Sequence, residues 1–297
     1  MRLHRVVCVV LLPLIALPPA GCWGEVGHNV SGRIAARLLN ARARRAATRI
    51  LGAKDLDAAM GEAAYWADAV ARKLYPQANP WHYINISLTD GPLGERPDPF
   101  LRSGTVYTKL VDLARRLREG RADEFEPASD LKFLIHFAGD LQQPLHAASN
   151  QDMGGNCVDV AGFRNLHSAW DTGLLEARLG RDKPAIAARL LARYRRLPAA
   201  EKARLEGRAI RGDDELVRQW VIESNALAVK HVYEPLRPPV PKFAPRLIDN
   251  CKDEPESMRG LAWTLDPAYI DAAGALIEDR LIAAGVRIAA LLNRVLR

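Results

Sequence analysis

Several patterns are scarce in this chain of 297 residues, and each scarcity closes a possibility. Strict alternation of apolar and polar side chains, the mark of a half-buried strand, is rare, which argues against a β-rich fold. Beyond residue 22 no apolar segment reaches membrane-spanning length without charges, so the mature chain is expected to have no span and to be soluble. No repeat or low-complexity tract points to an array or a linker. Cysteine occurs four times, and only Cys157 and Cys251 lie after residue 22, which limits the mature chain to one internal disulfide. Global disorder is excluded in turn, because 48% of the residues are hydrophobic and can bury a sizeable core.

Residues 1 to 22 are a different kind of segment. Arg2 and Arg5 precede an apolar run from Val6 to Ala20, and the small residues Ala20 and Gly21 stand before Cys22 and Trp23. This is the layout of a secretory signal cleaved before Trp23, which leaves a periplasmic or secreted protein. The run is short and interrupted by Pro13, Pro18 and Pro19, so it is a poor span. A lipoprotein with Cys22 acylated is the minor alternative, disfavoured by Pro19. The leader carries two arginines and no acidic residue, so its removal lowers the net charge from +7 to +5. That balance suits a phosphate-bearing partner, although arginines such as those between Ala41 and Arg49 are as well explained by a solvated helix face. Export permits a bond between Cys157 and Cys251, and two free thiols remain equally open.

Helical spacing of apolar residues recurs over 24–40, 41–52, 56–72, 103–119, 128–149, 165–180, 184–196, 213–233 and 266–296, so the expected fold is all-α. At most a small β-hairpin is expected, over residues 154–163, where Gly154-Gly155 precede alternating residues. Residues 235–262, rich in proline and then in charge, read as a long surface loop within a single domain spanning 23–297. A second irregular stretch covers 89–102.

The chemistry sits on two pairs of identical spacing. His136 and Asp140 are four apart on a helix and share a face, and so do His167 and Asp171. Each pair can offer one imidazole and one carboxylate to a cation, a known way for helices to build a zinc site. His146 follows Pro144, which bends the chain and can turn that imidazole back. His82 and Asp68 lie beside aromatic residues, and His28 lies on the first helix. Only His4 and His231, of seven histidines, are left outside this set. Each residue has an ordinary reading: His82 as a satisfied core histidine, Asp68 as an exposed charge, His28 as a surface residue. Jointly, those readings require several coincidences.

The motifs "WGEVGH", "YWAD", "WHYIN", "FLIHFAGDLQQPLH", "GGN" and "NLHSAWD" span residues 23 to 171 in order, and "GVRIAALLN" lies near the end. As a set they resemble the zinc-dependent single-strand-specific nucleases of fungi, plants and bacteria, which share a multi-helix fold with bacterial zinc-dependent phospholipase C. The resemblance implies three Zn2+ ions. One takes Asp68, His82 and His136, and a second takes His146, His167 and Asp171. The third takes His28 with the amino nitrogen and carbonyl oxygen of Trp23, while Asp140 bridges the first and third. Only cleavage before Trp23 frees that amine; a retained, acylated Cys22 would leave an amide there.

The implied function is an exported endonuclease that hydrolyses single-stranded DNA and RNA to products with a 5′-phosphate, with 3′-nucleotidase activity as a possible addition. Closely spaced zinc ions can activate water, neutralise phosphate oxygens and stabilise the leaving oxygen. Asp140 and Asn85 are the residues expected at the reacting centre, and Tyr83 and Arg72 the expected substrate contacts. Asn85 stands where relatives often carry aspartate; it can orient water and cannot accept its proton. Arg72 falls one position later after "WAD" than the family pattern places its basic residue. Gln142 replaces a histidine of many relatives that is not among the implied ligands. Tyr83 could stack on exposed bases or pack in the core on Trp81. The sequons at Asn29 and Asn85 adjoin implied ligands and read as chance matches. The rival functions are a zinc-dependent phospholipase C and a non-catalytic zinc- or nucleic-acid-binding protein. A monomer without a stable protein partner is expected.

Overall fold

A computed structural model describes residues 23–89, 100, 102–121 and 125–296. The leader and most of the irregular stretch at 89–102 lie outside the described residues. What is described is helical, with two-residue strands as the only sheet among the described residues, so the all-α expectation holds.

Helix α1 (Glu25–Leu38) leads through Asn40 into α2 (Ala41–Leu51). The Asn40 side chain accepts from the Ala43 N–H, and Gly52, at φ 60°, closes α2 in the left-handed conformation that a side chain would strain. Asp55 caps α3 (Leu56–Trp66), which runs on through a π-turn, Ala67–Ala71, into Arg72–Leu74. A 3₁₀ turn, Pro76–His82, precedes the extended "YIN" segment. Helix α4 (Val106–Glu119) starts from a Thr105/Thr108 capping box. Helix α5 (Pro127–Asp140) has proline in its first turn, where the missing N–H costs nothing.

Helix α6 combines Leu166–Ser168, a π-turn at Ala169–Gly173 and Leu174–Leu179. It is followed by α7 (Lys183–Arg196), α8 (Ala199–Leu205), α9 (Asp213–Leu227, extended by a π-turn at Ala228–Tyr233) and the long α10 (Pro267–Val295).

Three expectations are corrected. The helix expected over 128–149 stops at Asp140; Leu141 to Gln143 turn the chain, and Pro144, which cannot donate to the helix, starts a separate 3₁₀ turn, Pro144–Ala147. No hairpin forms at 154–163. Gly154 and Gly155 do turn, with φ 64° and 82°, but β1 (Asp159–Val160) pairs in parallel with the distant β2 (Ala262–Trp263). Helix α8 was not anticipated, its seven residues being too few to display a period. The loop at 235–262 is present, with short 3₁₀ turns at Cys251–Asp253 and Glu256–Met258. Cys251 is bonded there to Cys157, which settles the open choice between disulfide and thiols.

Helix α1 packs on α3 and α10, and glycines let the backbones close up. A side chain at Gly32 would overlap the Met60 carbonyl, and one at Gly285 would overlap Ile34. One apolar cluster forms around α2, α3, α4 and α5, including Met60, Phe133, Phe137 and Trp220. The other gathers Trp23, Ile34, Trp170, Trp263 and Ile277 around α1, α6, α7 and α10.

Between α9, α10 and the turn after α5 lies a charged network. Arg280 donates to Glu223 Oε1 (2.6 Å), and Arg287 donates to Glu223 Oε2. Both guanidiniums also donate to Gln142 Oε1, each at 2.6 Å, and Arg280 Nε donates to the Gln142 carbonyl (2.9 Å). Burial pushes Arg280 down to about 10 and lowers Arg287, yet both stay charged at neutral pH. Burial works against ionisation of Glu223 too, but Arg287 and Arg280 overcome it and hold the carboxyl down at about 2. Replacing Glu223 by glutamine leaves two buried guanidiniums without a counter-charge and is expected to cost about 3 kcal/mol, the usual range for half of a buried pair. Because the folded-state value is depressed, this stability is present above the ordinary carboxyl value of 4.5 and is lost as pH falls towards about 2. Thermal unfolding of wild type and Glu223→Gln across that range should therefore converge in acid; a constant gap would contradict the assignment.

Candidate metal centre

Six elements deliver side chains to one buried region. Helix α1 carries His28, the π-turn of α3 carries Asp68, the end of the 3₁₀ turn carries His82, α5 carries His136 and Asp140, and the turn after it carries His146. Helix α6 adds His167, with Asp171 in its π-turn. All of these side chains are buried, that of Asp68 being 4% exposed.

The extended segment that follows His82 is zipped onto the chain around His146. The Ile84 N–H donates to the His146 carbonyl (2.7 Å), the Ser149 N–H donates to the Ile86 carbonyl (2.8 Å), and His146 Nδ1 lies 2.8 Å from the His82 carbonyl. This pairing fixes "WHYIN" against "PLHAAS", so the two motifs enter the site as one unit. On the other side the Trp23 indole donates to the Gly139 carbonyl (3.1 Å), and the Gly24 N–H donates to the Asp171 carbonyl (3.0 Å). The fully buried Trp23 is thus tied to the neighbours of both Asp140 and Asp171.

Three sets of side chains have ligand atoms close enough to share a cation: Asp68, His82 and His136; His28, His136 and Asp140; and His146, His167 and Asp171. Asp140 is the hub. Its Oδ1 lies 3.1 Å from His28 Nε2, and its Oδ2 lies 3.1 Å from both His82 Nδ1 and His136 Nε2. In the third set His167 Nε2 is 3.2 Å from Asp171 Oδ2.

The rings are oriented from behind. His136 Nδ1 lies 2.6 Å from the Ala64 carbonyl, and His167 Nδ1 lies 2.7 Å from the Gly154 carbonyl; with Nδ1 of His146 similarly engaged, these three imidazoles turn Nε2 inward. A histidine whose other nitrogen donates to a carbonyl is the usual arrangement of a metal ligand.

Whether cations fit can be tested on atoms that would otherwise be stranded. Both nitrogens of His28, Asp68 Oδ2, Asp140 Oδ1, His146 Nε2 and Asp171 Oδ2 are buried without a hydrogen-bond partner. Leaving one such atom unsatisfied costs about 1–3 kcal/mol, so a cluster of them needs a charge to face. Nitrogen and carboxylate oxygen are a donor set suited to zinc, and the residues present fit divalent ions.

The electrostatics point the same way. Burial lowers His28, helped by repulsion from His136; burial also lowers His82, and it carries His146 down to about 4. These imidazoles are neutral, as ligands must be. At His136 burial is overcome by Asp140 and Asp68, and at His167 by Asp171, so both are raised. Burial opposes ionisation of Asp140, yet His136, His28 and His82 hold it well below its usual range.

The other expected residues surround this region. Arg72 meets Asp68 Oδ1 through Nε (2.9 Å) and Nη2 (2.8 Å). The two residues are four apart and share a face of the helix that the π-turn Ala67–Ala71 interrupts. Tyr83 is 38% exposed, while Trp81 packs on Phe125 and Phe133, so Tyr83 is not the core partner of Trp81. Asn85 is half-buried and its carbonyl accepts from Arg102 (2.9 Å). Asn29 is buried, accepts from Arg33 and presses on Gly61, which leaves no room for a glycan. His231 is exposed and away from the set.

Sequence reasoning missed Tyr65, whose ring lies 6.4 Å from that of His28, and Gln143, whose amide reaches Asp171.

Comparison with known proteins gives a consistent picture. The family model S1/P1 Nuclease matches residues 23–297. Endonuclease 2 of Arabidopsis thaliana is 28% identical over 188 residues, covering 59% of this chain and 63% of that protein. Nuclease P1 of Penicillium citrinum is 29% identical over 169 residues, covering 53% and 60%. Endonuclease 4 of Arabidopsis thaliana is 24% identical over 296 residues, covering 92% and 89%. The chain therefore spans under two thirds of the first two relatives and most of the third.

If the stranded donor atoms face cations, metal-free protein titrated with Zn2+ should take up three ions and melt at a higher temperature, since a ligand bound only to the folded state stabilises it. Asp68→Asn and His146→Ala should each remove one ion. Calorimetric titration with metal analysis decides; absence of uptake would return these residues to an ordinary polar core.

Proposed function

The chain belongs to the S1/P1 nuclease family, with its helical phospholipase C-like fold, and from that premise we propose that it is an exported, zinc-dependent endonuclease acting on single-stranded DNA and RNA to give 5′-phosphate products, with 3′-nucleotidase activity at the same site. The observation that carries this reading is the meeting of three donor sets in one buried region, two of them touching Asp140.

Asp68, His82 and His136 would hold one ion, and His146, His167 and Asp171 another. His28 would hold a third with the backbone of Trp23, and Asp140 would reach both the first and the third through its two oxygens. When bound, the ions supply water of lowered pKa and positive charge for the phosphate and leaving oxygens.

The chain's own groups bind and orient. Arg72, fixed on Asp68, sets a guanidinium beside the site, where it can meet a phosphate oxygen. Tyr83 offers an exposed ring on which a base of an unpaired strand can stack, a contact a duplex withholds. Asn85 can hold a water by its amide without taking a proton. Tyr65, kept protonated mainly by burial and by the charge of Asp68, lies close enough to offer a hydroxyl to a phosphate.

Export enters through Trp23. Its indole anchor on Gly139 and the adjoining bond of Gly24 to Asp171 hold the start of the mature chain beside the donor sets. Cleavage before Trp23 would place a free amine there. The family match beginning at residue 23 and the Cys157–Cys251 bond, a feature of oxidising compartments, support this reading.

Purified protein with zinc should cleave single-stranded DNA and lose that activity to a chelator. Faster release of headgroup from phosphatidylcholine vesicles would assign the site to a lipid, and metal-dependent binding of DNA without turnover would make it a binding protein. Tyr83→Ala should raise KM for single-stranded DNA by about tenfold, from a stacking contact of about 1–3 kcal/mol. Asn85→Asp, which adds a proton acceptor, should raise kcat about tenfold or more. An unchanged KM or kcat, respectively, would remove that residue from the site.

A further inference from the structure

Resting on the metal reading above, we propose that Gln143 is a positioning residue for the ion of the His146, His167 and Asp171 set. Its amide decides which oxygen of Asp171 faces that set, and so how tightly this one of the three ions is held.

Gln143 is fully buried at the start of the turn that carries His146. The Leu145 N–H donates to its Oε1 (2.6 Å). Only an oxygen can accept there, so the amide has one orientation and Nε2 must point the other way. It points at Asp171, donating to Oδ1 at 2.7 Å. With Oδ1 engaged, the carboxylate presents Oδ2 to the donor set, 3.2 Å from His167 Nε2. That oxygen and His146 Nε2 are both buried without a hydrogen-bond partner. Without the amide, Asp171 would be free to rotate away or to offer both oxygens.

Gln143 does not hold this pose alone. Its N–H donates to the Asp140 carbonyl (2.9 Å), Pro144 follows it, and Gln142 before it is gripped by Arg280 and Arg287. A line of hydrogen bonds thus runs from Glu223 through the two arginines and the turn to Asp171. The support differs in kind from that of Asp68, where a charged guanidinium meets Oδ1. A neutral amide orients Asp171 while leaving it more of its negative charge for a cation.

The test uses the full chain loaded with Zn2+ and follows transfer of the metal to a chromophoric chelator, beside metal analysis before and after. Gln143→Glu keeps an acceptor for the Leu145 N–H and loses the donor to Asp171, whereas Gln143→Met loses both. Asp171→Asn marks which phase of release belongs to this set. Both Gln143 variants are expected to release one ion 10–100-fold more readily, the usual cost of removing an outer-shell partner, with the other two ions retained as in wild type. Gln143→Glu buries a carboxyl against Asp171 and is expected to lower the melting point of the metal-free protein, so release is followed well below the melting point of each variant, which separates positioning from folding, and the glutamate variant carries the test should Gln143→Met not fold. Wild-type retention in the glutamate variant, or equal loosening of all three ions, would overturn the proposal while leaving the metal reading intact. A wild-type chain that takes up no zinc would overturn both.

Discussion

Buried carboxylates and imidazoles with no hydrogen-bond partner are the constraint around which this molecule is organised. Sequestering an isolated charge from water costs far more than a single packing contact returns, so such groups persist only where something compensates them. Asp140 shows how tightly the compensation is drawn. It is fully buried at the end of α5, with His28 on one oxygen and His82 and His136 on the other. Three separate segments, α1, the 3₁₀ turn ending at His82 and α5, must converge to make that arrangement, and the glycines that let α1 close on α3 and α10 serve it directly.

The backbone is shaped for the same end. Asp68 and Asp171 both lie in π-turns, each of which widens a helix by one residue where a carboxylate must be aimed inward. The turn from Asp140 to His146 leaves α-helical geometry for turns and a short 3₁₀ turn, and α9 and α10 grip it: Ser224 donates to the Leu141 carbonyl, Asn225 to the Ala147 carbonyl, and the two arginines to Gln142. An ion network that is costly to bury thus spends its hydrogen bonds on the loop that spaces the candidate ligands. On the other flank, the disulfide and the β1–β2 pairing tie the Gly154 loop, whose carbonyl orients His167, to the long loop before α10.

Much of this was legible in the sequence because helices repeat. The spacing of His136 and Asp140 fixed a shared face, and the apolar period located α1 to α7, α9 and α10 to within a few residues, apart from the end of α5, which it carried on to residue 149 instead of Asp140. What escaped had no period. The break after Asp140 is set by Pro144 and by tertiary bonds to Gln142, and a periodic reading runs straight through it. The parallel partner of β1 is about a hundred residues away and only two residues long, so no local pattern announces it. The π-turns are likewise silent, and the pairing of Arg72 with Asp68 was not read from the sequence. Gln143 was invisible for a related reason, since its role depends on a carboxylate brought from α6.

The side chains at the centre also bear on where a proton can go. Among the described residues, Asp68 is committed to Arg72, Asp140 to three histidines and Asp171 to Gln143. Of these, Asp68 and Asp140 are poor bases: His136 and Arg72 outweigh burial at Asp68, and His136, His28 and His82 outweigh it at Asp140, which sits well below its usual range. The imidazoles that turn Nε2 inward have Nδ1 engaged by carbonyls. At residue 85, where a free carboxylate would be the natural acceptor, the chain has an amide. An amide can both donate to and accept from a water, and that suits orientation alone. On the proposed function, the chain would contribute geometry and charge to hydrolysis and leave the activation of water to bound cations.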